Sequence, residues 1–305
     1  MATTIKSTAL DFASIKSNLK TFLAQKEEFT DYNFEASGLS NILDVLAYNS
    51  HYNGLIANFA LNESFLNTAQ LRSSVISLAE GIGYVPDSKT SAFALVNLSI
   101  NLAGVADRPA TVSLLSGTTF TSTIDDTEYT FQTQENISAT DNGSGFYEFV
   151  DANGSNKIKI FEGTAVTKTF IVTQNSENAV YIIPDESMDI QNAVVRVYDS
   201  PSSTDFVTYT NILDANVINI DSTLFILKES PNGFYELSFG NGTTLGRTPD
   251  AGSKATVTYL RVAGADANGG TLFEPTSQVT VGGVGYDLTV TTDSRSAGGL
   301  SLIHI

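Results

Sequence analysis

The chain has 305 residues, a formal net charge of −17 at pH 7 and no cysteine. This acidity repels phosphate groups, which argues against nucleic acid and anionic membrane surfaces as partners. The lack of cysteine excludes thiol catalysis, disulfides and cysteine-ligated metals. Residues 1–20 lack the apolar core of a signal peptide, and no run reaches the roughly 18 apolar residues of a membrane span. We therefore expect a soluble chain that is not secreted by that route, with about two or three domains.

Residues 1–90 carry apolar side chains at helical spacing. Asp11 is a favourable N-cap for a first helix. The apolar face of this helix holds Phe12, Ile15, Leu19, Phe22 and Leu23. A second helix is predicted from Leu39 to Leu61, and its apolar residues form two overlapping sets. The first set is Leu39, Ile42, Leu43 and Leu46, and the second is Val45, Tyr48, Tyr52, Leu55 and Phe59. A stripe this wide implies packing against more than one neighbour.

A third helix is predicted to open at Asn67, where Gln70 lies three residues further on and completes a capping box. Its apolar positions are Leu71, Val75, Leu78 and Ile82. The helix is expected to stop with Gly81 or Gly83 as its C-cap, because Pro86 follows shortly afterwards.

The rest of the chain predicts β structure. The stretch "ALVNLSINL" alternates, with one face formed by Ala94, Val96, Leu98, Ile100 and Leu102. A turn is predicted at Ser116 and Gly117 between two strands. Asn-Gly pairs at 153–154, 232–233 and 241–242 favour hairpins.

These elements predict an α+β fold, in which a helical region precedes mainly antiparallel β domains, one inserted in the other. The helical region covers 1–90. Residues 91–134 and 251–295 would form one β domain, and 135–250 would form an inserted β subdomain because several short strands occur there with few helix signals.

Reactive groups are scarce in the sequence. The chain has two histidines. One of them, His51, lies between Tyr48 and Tyr52 on the second helix, where a packed, hydrogen-bonded side chain is a better interpretation than a catalytic base. Asp125 and Asp126 fit turn chemistry. The glycines of "SFGNGTTLG" fit a hairpin better than a phosphate loop, because no Lys-Ser/Thr and no helix follow. A carboxylate pair of the glycosidase type stays open.

Three stretches carry a resemblance to a known family. They are "LDFASIKSNLKTFLAQKEEFTDYNFEASGLSNILDVLAYNSHYNGLIANFALNESFL", "LLSGTTFTS" with "EYTFQT", and "LSFGNGTTLGRTPDAGSKATVTYLRVAGADANGG". The chain resembles the baseplate wedge proteins of contractile-tailed, T-even-like bacteriophages, in the baseplate J-like group. Asn241 stands where that family commonly has Asp, and Ala263 where it has Thr or Ser. Residues 135–230 match the family only in style.

The resemblance implies a structural subunit of the virion tail baseplate, assembled in the host cytoplasm. The helical region of this family joins a second copy of the protein and other wedge subunits. We therefore expect Leu46, Tyr48, Tyr52, Leu55 and Phe59 to be interface or bundle-core residues. The resemblance also implies a role in baseplate rearrangement on tail contraction. It implies no enzymatic activity, no cofactor, no metal and no small-molecule substrate.

Two further interpretations concern the β region and the chain's end. A host-surface or glycan-binding tail adhesin is the alternative function, suggested by the Asn- and Thr-rich strands, but it gives no reason for the helical start. Members of the resembled family continue past residue 300, whereas this chain ends in "LSLIHI". We therefore expect residues 296–305 to be a truncated or non-native end, the alternative being a genuine terminal strand.

Overall fold

The structure of the protein is a computed structural model. The residues it describes are 11–29, 32–34, 37–84, 88–173, 179–230 and 232–301. The chain forms two compact units, which divide between residues 85 and 86. The first unit is helical and the second consists mainly of antiparallel sheets, which confirms the predicted fold class. Residues 302–305 of the predicted non-native end lie outside the described residues.

The helical unit contains, among its described residues, three α-helices. They are α1 (Phe12–Ala24), α2 (Leu39–Glu63) and α3 (Arg72–Gly81). The predicted cap of the first helix is confirmed, because the Ser14 N–H donates to the Asp11 carboxylate over 2.8 Å. A short 3-10 turn, Glu27–Phe29, follows α1.

The start of α3 differs from the prediction. The helix begins at Arg72 rather than at a capping box of Asn67 and Gln70. The Glu63 carboxylate, at the end of α2, accepts the N–H groups of Gln70 and Leu71 over 2.9 and 3.1 Å. The hydrogen bond from Gln70 lowers the pKa of Glu63. The Glu63 carboxylate thus holds the segment just before α3, whereas the N-cap residue of the helix, Leu71, makes no side-chain capping bond.

The end of α3 is a Schellman motif. Gly83 has a φ of +81°, its N–H donates to the carbonyl of Glu80, and the N–H of Tyr84 donates to the carbonyl of Ala79. This pair of bonds requires a left-handed residue after the helix, which glycine adopts without steric cost. Of the two glycines that the sequence offered, Gly83 ends the helix.

The β unit is built from short strands. The first group comprises β1 (Phe93–Asn101), β2 (Thr111–Leu114), β3 (Thr119–Ile124), β4 (Thr127–Thr133), β5 (Ile137–Asp141), β6 (Phe146–Val150) and β7 (Ile158–Glu162). The second group comprises β8 (Thr164–Ile171), β9 (Val180–Ile183), β10 (Met188–Tyr198), β11 (Phe206–Asn211), β12 (Leu224–Glu229), β13 (Tyr235–Phe239) and β14 (Lys254–Arg261). The last group comprises β15 (Glu274–Pro275), β16 (Val279–Val281), β17 (Val284–Tyr286) and β18 (Thr289–Ala297).

The first sheet is organised around β1. Its strand order is β15-β3-β4-β7-β1-β6-β5-β2, and β18 also pairs with β1. The alternation predicted for β1 is confirmed, since every second residue from Ala94 to Leu102 is buried. These residues pack with Phe120, Phe131 and Phe149 in one hydrophobic core. Burial of these side chains is large enough to hold together strands that lie far apart in the sequence.

The second sheet has the order β8-β14-β10-β11-β12-β13-β9. In chain order its strands lie between those of the first sheet, over residues 164–261. The boundaries predicted for the inserted subdomain, 135–250, differ from this sheet at both ends. Strands β5, β6 and β7 belong to the first sheet, because β6 and β7 both pair with β1. The second sheet has its own core, which is rich in buried tyrosine and phenylalanine, including Tyr235 and Tyr259.

The Asn-Gly pairs have different outcomes. The pair at 232–233 is confirmed as a hairpin turn, because β12 and β13 pair from Phe225↔Phe239 to Glu229↔Tyr235. The pair at 153–154 forms a turn but not a hairpin, because β6 and β7 pair with the same edge of β1 rather than with each other. The loop at 240–248 is not a hairpin either, because β13 pairs with β12 and β9, whereas β14 pairs with β10 and β8. A local turn signal does not decide which strands pair afterwards.

Two buried carboxylates lie where the two sheets adjoin. Glu162, at the end of β7, accepts the Ala263 N–H over 3.1 Å. Asp189 of β10 is fully buried and accepts the Ser91 N–H over 3.0 Å. The pKa of Glu162 is raised to about 7, mainly by burial and to a lesser extent by the Asp189 charge. The hydrogen bonds from the backbone of Ala263 and Gly264, and the charge of Lys89, oppose this shift. Glu162 therefore keeps a proton in the folded protein at pH values where the unfolded chain has lost it.

This shift predicts a pH-dependent stability. Between about pH 4.5 and 7 the folded state binds the extra proton, so the free energy of unfolding falls as pH rises through this window and levels off above it. Glu162→Gln should remove this dependence and stabilise the β unit at pH 8 by on the order of 3 kcal/mol. Urea unfolding monitored by tyrosine fluorescence tests this, with Glu274→Gln on exposed β15 as control. Parallel pH profiles for wild type and Glu162→Gln would contradict it.

Candidate assembly surface

Helix α2 is packed along one face. Leu43, Ala47 and Asn58 are buried there, and Leu43 is only 2% exposed. Helix α1 packs against α2, and Lys16 pairs with Asp44 over 2.5 Å. Phe12, Ile15, Leu19 and Leu23 of α1 are half-buried, as their predicted apolar face requires, whereas Phe22 is exposed. This packing holds α2 in place and fixes which of its faces points outward.

The opposite face of α2 is apolar and uncovered. It carries a row of five exposed side chains, which we call the α2 stripe: Val45, Tyr48, Tyr52, Leu55 and Phe59. Their exposed fractions lie between 48% and 68%. The residues are spaced alternately by three and four positions, which is the spacing of a coiled-coil seam. This spacing and exposure are typical of one side of a helix–helix contact.

More apolar surface flanks the α2 stripe. Ile42, Leu46 and Ile56 are each about half exposed, at 55%, 47% and 50%. The ionisable acids of α2 are Asp44 and Glu63, and both have partners away from this face. The flank and stripe therefore carry no charged side chain of α2, and the polar groups among them include the amides of Asn49 and Asn53, which bond to each other. Monomeric soluble proteins rarely leave a contiguous surface of this kind in water.

The predicted interface residues can now be located. Leu46, Tyr48, Tyr52, Leu55 and Phe59 are all exposed on α2, and their role as interface residues stays a prediction. The structure adds Val45, which the spacing of the second apolar set already indicated, and Ile56. Helix α3 contributes further buried positions, Val75, Ile76 and Ala79.

The polar residues of the tyrosine-rich segment have local roles. The rings of Tyr48 and Tyr52 stack with their centroids 6.3 Å apart. Asn53 donates to the side-chain oxygen of Asn49 over 3.3 Å. The hydrogen bonds from Ser14 lower the pKa of Asp11, and the nearby charge of His51 adds a smaller contribution. The segment is thus arranged as a packed helix that carries stacked tyrosines.

Within the described residues, no group of three or more His, Asp or Glu side chains could hold a metal ion. None of the helices in the described ranges is long and apolar enough to span a membrane. Asp125 and Asp126 have φ values of 47° and 63°, which fits the turn predicted for them between β3 and β4.

Comparisons with known proteins cover the helical region and much of the rest of the chain. Residues 11–84 match the family of baseplate wedge proteins described as gp6-like, helical domain. This match includes α1, α2 and α3. Together with the relative described next, it confirms the resemblance to baseplate wedge proteins that the motifs carry.

One relative is the baseplate wedge protein gp6 of Enterobacteria phage T4. It is 29% identical over 289 residues, which cover 88% of this chain and 41% of the relative. The chain therefore spans less than half the length of that protein. A chain of the anti-feeding prophage baseplate, solved by cryo-electron microscopy, is 10% identical, with 96% of this chain and 48% of that chain covered. Its TM-score of 0.28 is too low to indicate a shared overall fold.

The two faces of α2 predict different responses to the same substitution. Leu43→Ala removes a buried side chain and should lower the free energy of unfolding of the helical unit by about 2–4 kcal/mol. Leu55→Ala, on the α2 stripe, should change it by no more than about 0.5 kcal/mol. Urea unfolding followed by the helical circular dichroism signal compares them. Equal losses for the two variants would show that the α2 stripe is covered within the isolated chain.

Proposed function

We propose that the chain is a structural subunit of a phage tail baseplate wedge, and that the α2 stripe is the contact by which it joins its neighbours. The observation that carries this proposal is the division of α2 into a packed face and an exposed, uncharged face with coiled-coil spacing. The family match over residues 11–84 and the similarity to the T4 baseplate wedge protein gp6 support the same role. The proposed location is the tail baseplate of the virion, after assembly in the host cytoplasm.

The size of the stripe indicates the kind of partner. Full burial of one such side chain contributes about 1.5–3 kcal/mol, so covering five half-exposed ones contributes roughly 4–8 kcal/mol. Association costs about 4–15 kcal/mol in lost translational and rotational freedom. The α2 stripe alone is therefore too small for a stable contact. Covering the flank formed by Ile42, Leu46 and Ile56 as well requires a bundle of more than two helices.

The proposed partners follow from this requirement. A second copy of the chain supplies one further α2, and another wedge subunit supplies the remaining helical surface. In such a bundle the stacked rings of Tyr48 and Tyr52 bury their apolar faces, while their hydroxyl groups find partners at the rim. A role of this kind needs no covalent chemistry, no cofactor and no small-molecule substrate.

The β unit would serve as a rigid body attached to the helical contact. Each sheet has its own aromatic core, and strands distant in sequence pair within it. Close-packed cores transmit displacement with little internal deformation. In the proposed role, rearrangement on tail contraction moves this unit as a whole, while the helical contacts hold the wedge subunits together.

The proposal is tested by one charge placed inside or outside the α2 stripe. Tyr52→Asp should abolish assembly with a second copy and with the other wedge subunits of the same phage, because an unpaired carboxylate would be buried in the contact. Thr21→Asp adds the same charge at an exposed position of α1, outside both the α2 stripe and its flank, and should leave assembly intact. Size-exclusion chromatography of co-expressed subunits reports the complex, and circular dichroism reports folding.

Two results would contradict the proposal. The first is normal assembly of the Tyr52→Asp variant. The second is equal loss of assembly in the Tyr52→Asp and Thr21→Asp variants with the fold retained, since the contact would then not depend on the face that carries the α2 stripe.

A further inference from the structure

A second exposed apolar surface lies on the β unit. Strands β11 and β12 are parallel neighbours, with Thr210 opposite Leu224, and residues 212–223 connect them. This connection begins with a 3-10 turn, Ile212–Asp214, in which Asn211 accepts the Leu213 N–H over 3.1 Å. The loop is closed at its other end, because the Arg247 N–H donates to the carbonyl of Ser222 over 2.8 Å. It is thus a hydrogen-bonded loop of defined shape.

This loop directs its large apolar side chains outward. We call them the apolar ridge: Leu213, Val217, Ile218 and Ile220. Leu213 and Val217 are 69% and 67% exposed, more than most residues of the α2 stripe. Four such side chains in eight positions are unusual for a surface connection, which normally carries polar residues. A hydrogen-bonded loop that holds apolar side chains in water indicates a docking surface.

The surroundings of the ridge are acidic. Residues 199–223 contain Asp199, Asp205, Asp214 and Asp221 and no lysine or arginine. Ile220 and Asp221 line a cavity of about 460 Å³ together with Arg247 and Asp250. A smaller cavity of about 80 Å³ shares Arg247 and Asp250 and adds Asp199. Among the residues that line these two cavities, three are carboxylates and one is a guanidinium, which leaves an excess of negative charge beside the ridge.

We propose that the apolar ridge and the cavity beside it bind a basic segment of another protein, which covers the ridge with apolar side chains and inserts a lysine or arginine into the cavity lined by Asp221 and Asp250. Charge complementarity selects this occupant. A second copy of the chain is disfavoured, because its net charge is −17 and its own ridge carries the same carboxylates. This surface is distinct from the α2 stripe, so the two proposals can fail separately.

The first experiment locates the occupant. The photoreactive residue p-benzoylphenylalanine replaces Val217 in the full chain, which is co-expressed with the other tail proteins of its own phage and irradiated. Mass spectrometry of the crosslinked peptides should identify a segment of a different protein with lysine or arginine next to apolar residues. A crosslink to a second copy, to the same chain or to a segment without a cation would overturn the proposal, and so would the absence of any crosslink.

The second experiment measures how much the apolar ridge and the acidic cavity each contribute to binding. The partner protein that the crosslink identifies is purified and used as the binding probe. The double variants Leu213→Ser/Ile220→Ser and Asp221→Asn/Asp250→Asn should each weaken binding by about tenfold or more. Raising the salt concentration should weaken wild-type binding and affect the Asp221→Asn/Asp250→Asn variant much less. The control is Val180→Ser/Ile182→Ser on β9, which removes two side chains of 50% and 53% exposure from the same unit.

Unchanged thermal unfolding together with selective loss of binding in the ridge and cavity variants supports the proposal. Equal loss in the β9 control, or binding that is insensitive both to salt and to Asp221→Asn/Asp250→Asn, overturns it. Because Tyr52→Asp leaves this loop untouched, its effect on wedge assembly does not decide the result here.

Discussion

The unequal burial of helix α2 is the constraint on which the account of the molecule depends. Leu43 and Ala47 are buried, whereas the α2 stripe on the other side is exposed to water. The packed face gives the helix a fixed orientation, so the exposed face is presented as a rigid surface and little ordering entropy is lost when it is covered. Apolar surface arranged in this way stabilises an assembly more than it stabilises the isolated chain.

The β unit differs from the helical unit in how it covers its apolar side chains. Its sheets bury their own apolar side chains, from Ala94 to Leu102 in the first and around Tyr235 and Tyr259 in the second. Its polar groups are also engaged inside it: Asp185 accepts from Tyr259 and Arg261 over 2.8 and 2.7 Å, and Arg108 pairs with Asp141 over 2.6 Å. The β unit thus buries most of its apolar side chains within itself, whereas the helical unit leaves the α2 stripe exposed. The apolar ridge is the place where the β unit also leaves apolar surface exposed.

Local periodicity carried most of what the sequence could predict. The alternation in β1 and the helical spacing in α1 and α2 report burial directly, and Asp11 acts within three residues of its own position. The role of Glu63 was missed because its carboxylate accepts the Gln70 N–H from seven residues away, across a turn. The limits of the second sheet were missed because strand partners are chosen by packing over long distances in sequence. The apolar ridge has no period to detect, so only its exposure in the folded chain revealed it.

The central claim is that the α2 stripe is uncovered in the free chain and covered in the assembled baseplate. Hydrogen–deuterium exchange of peptides spanning residues 45–59, compared between the isolated protein and purified baseplates, measures this most directly. The account predicts much slower exchange of these amides in the baseplate, while peptides from the core strand β1 exchange equally slowly in both. Equal protection of residues 45–59 in the two states would contradict it.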